Sequence, residues 1–152
     1  MAKAKKFVVE GSINWARVFE DNRDMDGYNG AYQPCDGAYT FDLLVDEDNM
    51  KKLQEAGTAK KFKEVETGKY KVKMVRKHVG PFDAASGPPK VVWNDGSSYD
   101  YDVEGSIGNG SFCEVRGVVY PTKAGINGTR FDTVVVKDHV VYTPEDDDEV
   151  PV

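Results

Sequence analysis

In Tyr70–His78 (YKVKMVRKH) apolar and basic residues take turns: Tyr70, Val72 and Met74 share one face of an extended chain, and Lys71, Lys73 and Lys77 the other. This predicts a strand with one side in a core and one cationic side, with Arg76 and His78 at its far end. Phe7–Phe19 (FVVEGSINWARVF) is apolar on both phases around Gly11, the pattern of a long first strand that bends at a glycine. Which of its phases points inward is left open. Ala38–Val45 (AYTFDLLV) reads as a second strand. A short helix follows at Asn49–Ala56, with Asp46 or Asp48 as its cap, acids in its first turn and Gly57 past its end, the polarity the helix dipole favours. Met50, Leu53 and Gln54 mark its inner face.

Lys90–Trp93 is a short strand stopped by the turn signal Asn94-Asp95-Gly96. The last third, Gly105 to Tyr142, has the composition of a hairpin. Ile107-Gly108-Asn109-Gly110-Ser111 leads into a strand Phe112–Tyr120, Pro121 to Gly128 forms the turn, and Thr129–Tyr142 returns. This hairpin is expected to close a small barrel. In its first arm Cys113, Val115 and Val119 suit a core, which leaves Phe112, Arg116 and Tyr120 together on the other face. Between these elements Glu20–Asp36 and the Pro/Gly-rich Gly80–Pro89 read as irregular loops, and the highly charged Thr58–Lys69 as a mobile connection.

A chain of 152 residues has room for one domain that folds without staples. No run of 18 apolar residues occurs, and the basic start Met1-Ala2-Lys3-Ala4-Lys5-Lys6 is followed by strand-like alternation rather than by the apolar core of a signal peptide. A cytosolic protein outside the membrane is expected. Cys35 and Cys113 stand far apart, in no ligand-spaced cluster, and read as two reduced, packed thiols. The net charge of −6 is unevenly placed. Of the 26 acids, five form the run Glu145-Asp146-Asp147-Asp148-Glu149, and the remaining 21 face 20 basic residues, so the body is close to neutral. The run repels itself and buries nothing; the expected division is a domain over 1–143 and a disordered acidic tail over 144–152.

Enzyme chemistry finds little support. His78 and His139, the only histidines, belong to no metal-binding pattern, and no nucleotide-binding glycine motif opens a helix after a strand. Gly108-Asn109-Gly110-Ser111 is followed by a strand, not by the helix N-terminus a phosphate loop needs. Asn22-Arg23-Asp24-Met25-Asp26-Gly27 imitates the start of a calcium loop, but Gln33 stands where a bidentate Glu is required. Asp21, Asp24, Asp26 and Asp36 read as solvated loop acids rather than magnesium ligands. No metal or cofactor is expected.

What stands out is the interleaving of aromatic and basic residues on strands. Single-stranded nucleic acid is held by flat side chains on which unpaired bases stack and by cations along the phosphates. Trp15 with Arg17, Tyr39 with Phe41, Tyr70 with Lys71 and Lys73, Trp93 with Lys90, and Tyr120 with Arg116 and Lys123 supply such neighbours. The expected contacts are electrostatic along Lys71, Lys73, Lys77 and Arg116, with stacking on some of Trp15, Phe41, Trp93 and Tyr120. Two other readings use the same residues: a β-barrel structural or assembly protein of a virus, and a carbohydrate-binding module.

The strand order, the helix after the second strand, Val91-Val92-Trp93-Asn94-Asp95-Gly96, Ile107-Gly108-Asn109-Gly110-Ser111, Val118-Val119-Tyr120-Pro121 and the acidic end together resemble bacteriophage single-stranded DNA-binding proteins of the OB-fold type. The similarity runs from about Phe7 to Glu149. It implies a mainly β, five-stranded OB-fold barrel with a short helix inserted after the second strand. It also implies a protein that coats DNA during phage replication, recombination and repair in the cytoplasm of the infected bacterial host. The family's acidic tail contacts replication proteins such as a DNA polymerase or helicase and competes with DNA for the basic groove. Lys123, Arg130 and the Lys71–Lys77 strand would be its targets here. In the strand before the Tyr-Pro step, where the family offers cations to DNA, only Arg116 does so and Glu114 occupies another such place. The tail ends in Val150-Pro151-Val152 rather than in an aromatic residue. Whether the chain forms a homo-oligomer is left open.

Overall fold

The structure is a computed structural model and describes residues 4–141. Its elements are β1 (Lys5–Arg17), β2 (Ala38–Asp46), α1 (Glu47–Glu55), β3 (Lys63–Glu66), β4 (Lys69–Lys77), β5 (Lys90–Trp93), α2 (Tyr101–Glu104), β6 (Ser111–Tyr120) and β7 (Gly128–Asp138). The strands form one seven-stranded sheet in the order β3-β4-β2-β1-β6-β7-β5. All neighbours are antiparallel except β5 and β7, which run parallel.

β1 is shared between the two halves of the sheet. Its residues from Lys5 to Ile13 pair with β6, and those from Ser12 to Arg17 with β2. β2 approaches β1 closely at Gly11, where a Cβ would sit 2.2 Å from the Leu44 carbonyl oxygen. The inner face of the curved sheet is closed by Phe41 against Phe131, edge to face at 4.7 Å between ring centres, with Ile13, Leu43 and Leu53 fully buried around them. α1 begins two residues before the expected Asn49, with Asp46, one of the two expected caps, at its start. The Asp46 carboxylate accepts the Asn49 N–H at 2.9 Å, which holds its carboxyl below the usual range. Asn49 Oδ1 in turn accepts the Glu10 N–H at 3.0 Å and pins the helix to β1.

The five inner strands of this order, β4-β2-β1-β6-β7, are the barrel strands expected from the sequence, in an arrangement consistent with the OB type. β4 and β7 meet through a side chain. Arg76, 6% exposed, donates to Asp132 at 2.7 Å and to the carbonyls of Gly87 (2.9 Å), Ser86 (3.0 Å) and Phe131 (3.5 Å). Burial pushes the guanidinium pKa down, and the Asp132 charge opposes that shift.

Three expectations are corrected. Thr58–Lys69 is not merely a connection, since it contains β3, every residue of which is exposed and which pairs with β4 as an edge strand. Its charges fit that place: Lys and Glu on an edge discourage pairing with other chains. β3 and the expected short strand β5 flank the five barrel strands in the sheet, and α2, capped by the Asp100 carboxylate on Asp102 N–H at 3.0 Å, was not foreseen. The returning arm of the hairpin is a strand only to Asp138. Tyr142 and the acidic run Glu145-Asp146-Asp147-Asp148-Glu149 lie outside the described residues. Among those described, no helix is long and apolar enough to cross a membrane.

Candidate nucleic-acid interface

The turn between β6 and β7 stands beside the end of β4, and between them opens a groove of about 930 Å³. Three segments complete it: Ala59 and Lys60 after α1, Pro81 and Phe82 in the loop after β4, and Tyr32 from the long loop after β1. The segment after α1 is held there by side chains. Thr58 Oγ1 and Thr129 Oγ1 share a hydrogen bond of 2.6 Å, and Asn127 donates to the Gly57 carbonyl at 2.9 Å.

Every charged residue that lines this groove is basic: Lys60, Arg76, Lys77, Lys123 and Arg130. Arg76 is committed to closing the barrel. Arg130 donates to Asp132 at 2.7 Å, and its guanidinium carbon lies 5.6 Å from the Phe82 ring centre and 5.9 Å from that of Tyr120. The cation thus steadies two aromatic rings at the mouth of the groove. Phe82 is 57% exposed, although a loop phenylalanine loses solvation free energy by standing in water. Tyr120 is placed by Gly128, whose absent side chain makes room for the ring: a Cβ there would lie 2.4 Å from it. Lys60, Lys77 and Lys123 form no ion pair with any described residue. Burial pushes the Lys60 pKa down, and the charge of Lys73 pushes the same way. Lys60 is thus a half-buried lysine with no ion-pair partner among the described residues, in a groove that aromatic rings also line.

Of the residues singled out in the sequence, Tyr120, Lys77 and Lys123 line this groove. Lys71 and Lys73 are exposed on the outer face of β4, with Leu44 and Asp42 opposite them on β2, and stand outside it. Trp15 and Arg17 line a separate depression with Asn109 and Arg23.

The remaining residues are placed otherwise. Tyr39 and Phe41 are 0% and 1% exposed and belong to the core, so neither can stack on a base. The Tyr39 hydroxyl pairs with His78 Nδ1 at 2.7 Å, and burial raises its pKa to about 12. Trp93 is packed between Tyr99 and His139, with ring centres 5.0 and 5.4 Å away, and is wall rather than open platform. Phe112, Arg116 and Tyr120 do share one face of β6, but the face is not one contact surface. Phe112 and Tyr120 stand at opposite ends of the strand, roughly 25 Å apart at the usual rise. Arg116 is bonded to Glu114 at 2.6 Å. The imitation of a calcium loop is an Asx turn: the Asp24 carboxylate accepts the N–H groups of Asp26 and Gly27, which lower its pKa.

Sequence reasoning missed Tyr32, Phe82 and Lys60, and took Arg130 only as a target for the tail. A signal was present for Phe82, an aromatic between Pro81 and Asp83 in a loop without alternation. Lys60 gave none, since the segment that carries it is placed by contacts distant in sequence, Thr58 with Thr129 and Gly57 with Asn127.

No family model matches the chain, and no curated protein matches it. Among solved structures the fold is similar to that of gp2.5, a single-stranded DNA-binding protein encoded by bacteriophage T7. That likeness has a TM-score of 0.61 and 18% identity, over 97% of this chain and 95% of that one. It is also similar to the single-stranded DNA-binding protein from bacteriophage Enc34, with a TM-score of 0.57 and 13% identity over 91% of this chain and 84% of that one. The Enc34 protein in complex with single-stranded DNA matches with a TM-score of 0.54 and 13% identity, over 88% of this chain and 86% of that one.

Proposed function

We propose that this chain is a binding protein, not an enzyme, and that it holds single-stranded DNA without sequence preference in the groove between the β6–β7 turn and the end of β4. The observation that carries this reading is the groove itself, which joins the exposed Phe82 and the half-buried Tyr120 to three lysines, Lys60, Lys77 and Lys123, that form no ion pair with a described residue. Bases stack on Phe82 and Tyr120, and Lys60, Lys77 and Lys123 meet phosphates. Stacking accepts any base, because each has a flat face, and phosphate contacts carry no sequence information. The shared fold with phage proteins that bind single-stranded DNA supports the same ligand and a setting in the cytoplasm of an infected host. There it would cover DNA exposed in replication, recombination and repair. The acidic run at the C-terminus is the segment of this chain that would rival DNA for the groove and meet replication proteins.

The test is a titration of fluorescently labelled oligothymidine, read by anisotropy. Tyr120→Ala and Phe82→Ala should each weaken binding by about 1–3 kcal/mol while the thermal midpoint of Phe82→Ala, an exposed side chain, stays put. Full affinity in both variants would overturn the assignment of the groove.

A further inference from the structure

Trp15 combines two properties that proteins rarely give a large apolar residue. Its backbone is in the left-handed region, at φ 55°, and its side chain is 66% exposed. Neither conformational preference nor burial accounts for a tryptophan there. The position is nonetheless firmly built. The β1–β2 register slips between Asn14 and Arg17, a bulge that turns Trp15 outward. Trp15 N–H then donates to Asn109 Oδ1 at 2.7 Å, and Gly110 N–H donates to Asn14 Oδ1 and to the Ile13 carbonyl, both at 2.9 Å. The lead-in to β6 thus locks the bulge from the other side.

Beside the indole lies a depression of about 530 Å³ that also takes in Arg17, Arg23, Asp21 and Asn109. Arg23 is tied to the Glu20 and Asp36 carbonyls, each at 2.8 Å, and to the Asp36 carboxylate at 3.5 Å. Arg17 is exposed and forms no ion pair with a described residue. This leaves one platform and one available cation side by side.

The depression and the groove lie two strands apart. Arg17 pairs with Thr40 on β2, Thr40 pairs with Val75 on β4, and Val75 lines the groove. Two interstrand steps amount to roughly 10 Å. The loop after β1 spans the same interval, with Arg23 in the depression and Tyr32 in the groove.

We propose that Trp15 and Arg17 form a second subsite for the same strand of DNA: a base stacks on the indole and a neighbouring phosphate meets Arg17. The proposal rests on the groove reading. A strand seated in the groove reaches Trp15 only if it is long enough to cross β4 and β2, so the subsite sets the length of DNA that one molecule covers.

The experiment uses the full chain and oligothymidines from about 4 to 16 nucleotides, the range of single-domain footprints. Trp93→Phe leaves Trp15 as the sole tryptophan, whose emission should be quenched by the long oligonucleotides and not by the shortest that bind. Trp15→Asn removes the platform and keeps a residue that tolerates the left-handed backbone. It should bind the short oligonucleotides like the parent and the long ones about 5- to 150-fold more weakly. Equal affinity of Trp15→Asn and parent at every length, or Trp15 emission that long oligonucleotides leave unmoved, would overturn the subsite. If the parent binds no oligonucleotide of any length, it is the groove reading that fails.

Discussion

Lys60 carries a positive charge where burial and the nearby charge of Lys73 both oppose it. Its pKa is lower in the folded chain than in the unfolded one, so between those two values the folded state binds fewer protons and stability rises with pH. Below both values the charged ammonium costs stability, and a phosphate from bound DNA would relieve that cost. Lys60→Met should therefore raise the thermal midpoint while weakening binding to oligothymidine. The gain in midpoint should shrink as the pH of the scan rises through the lowered lysine pKa. A variant that melts lower and binds as before would refute this account. The same scale explains which aromatics were misread. Tyr39 and Phe41 sit in the run Ala38–Phe41, all of it buried, and a lysine or aspartate next in sequence says nothing about whether a ring faces the core. Cys113 was read correctly as a packed thiol: it is fully buried, and burial pushes its pKa up to about 12.

At the scale of elements, β1 decides the shape of the molecule. It pairs with β6 and with β2 and so serves both halves of the sheet, and the atom that crowds Gly11 is backbone, the Leu44 carbonyl oxygen, which cannot swing aside as a side chain would. Gly11→Ala should lower stability by about 1–3 kcal/mol, measured as a shift of the urea midpoint with little change in slope. An unchanged midpoint would mean that β1 and β2 can pair without a glycine there. β1, β2, β4, β6 and α1 were legible because each carries its own period or cap. β3 and α2 were not: four residues of mixed charge have no period to read, and they are ordered only by the partner strand or cap beside them.

Taken whole, the chain joins a nearly neutral body to a run of five acids. If that run and DNA compete for the groove, removing residues Glu145 to Val152 should tighten oligothymidine binding in low salt. Affinity in both forms should fall with salt, at a log–log slope of about −0.7 for each phosphate engaged. The truncation and a salt series can be read in one set of titrations. Unchanged or weaker binding by the truncated chain would dismiss the competition, and a salt-independent affinity would point away from a phosphate-bearing ligand.

The sequence by itself determined the β class, the helix after the second strand and the terminal hairpin, because alternation, capping and turn residues are local properties of the chain. It also identified Trp15, Lys77, Tyr120 and Lys123 as residues worth placing. Only the tertiary structure decided the groove, because its walls come from segments separated by tens of residues: the segment of Lys60 is tied to β7 by Thr58 and Thr129, Phe82 is brought beside Arg130 by the loop after β4, and Tyr120 is aimed by the space above Gly128. An aromatic residue in a strand has two faces to choose from. The packing of the rest of the chain makes that choice, as it turned Phe41 inward and left Trp15 standing in solvent.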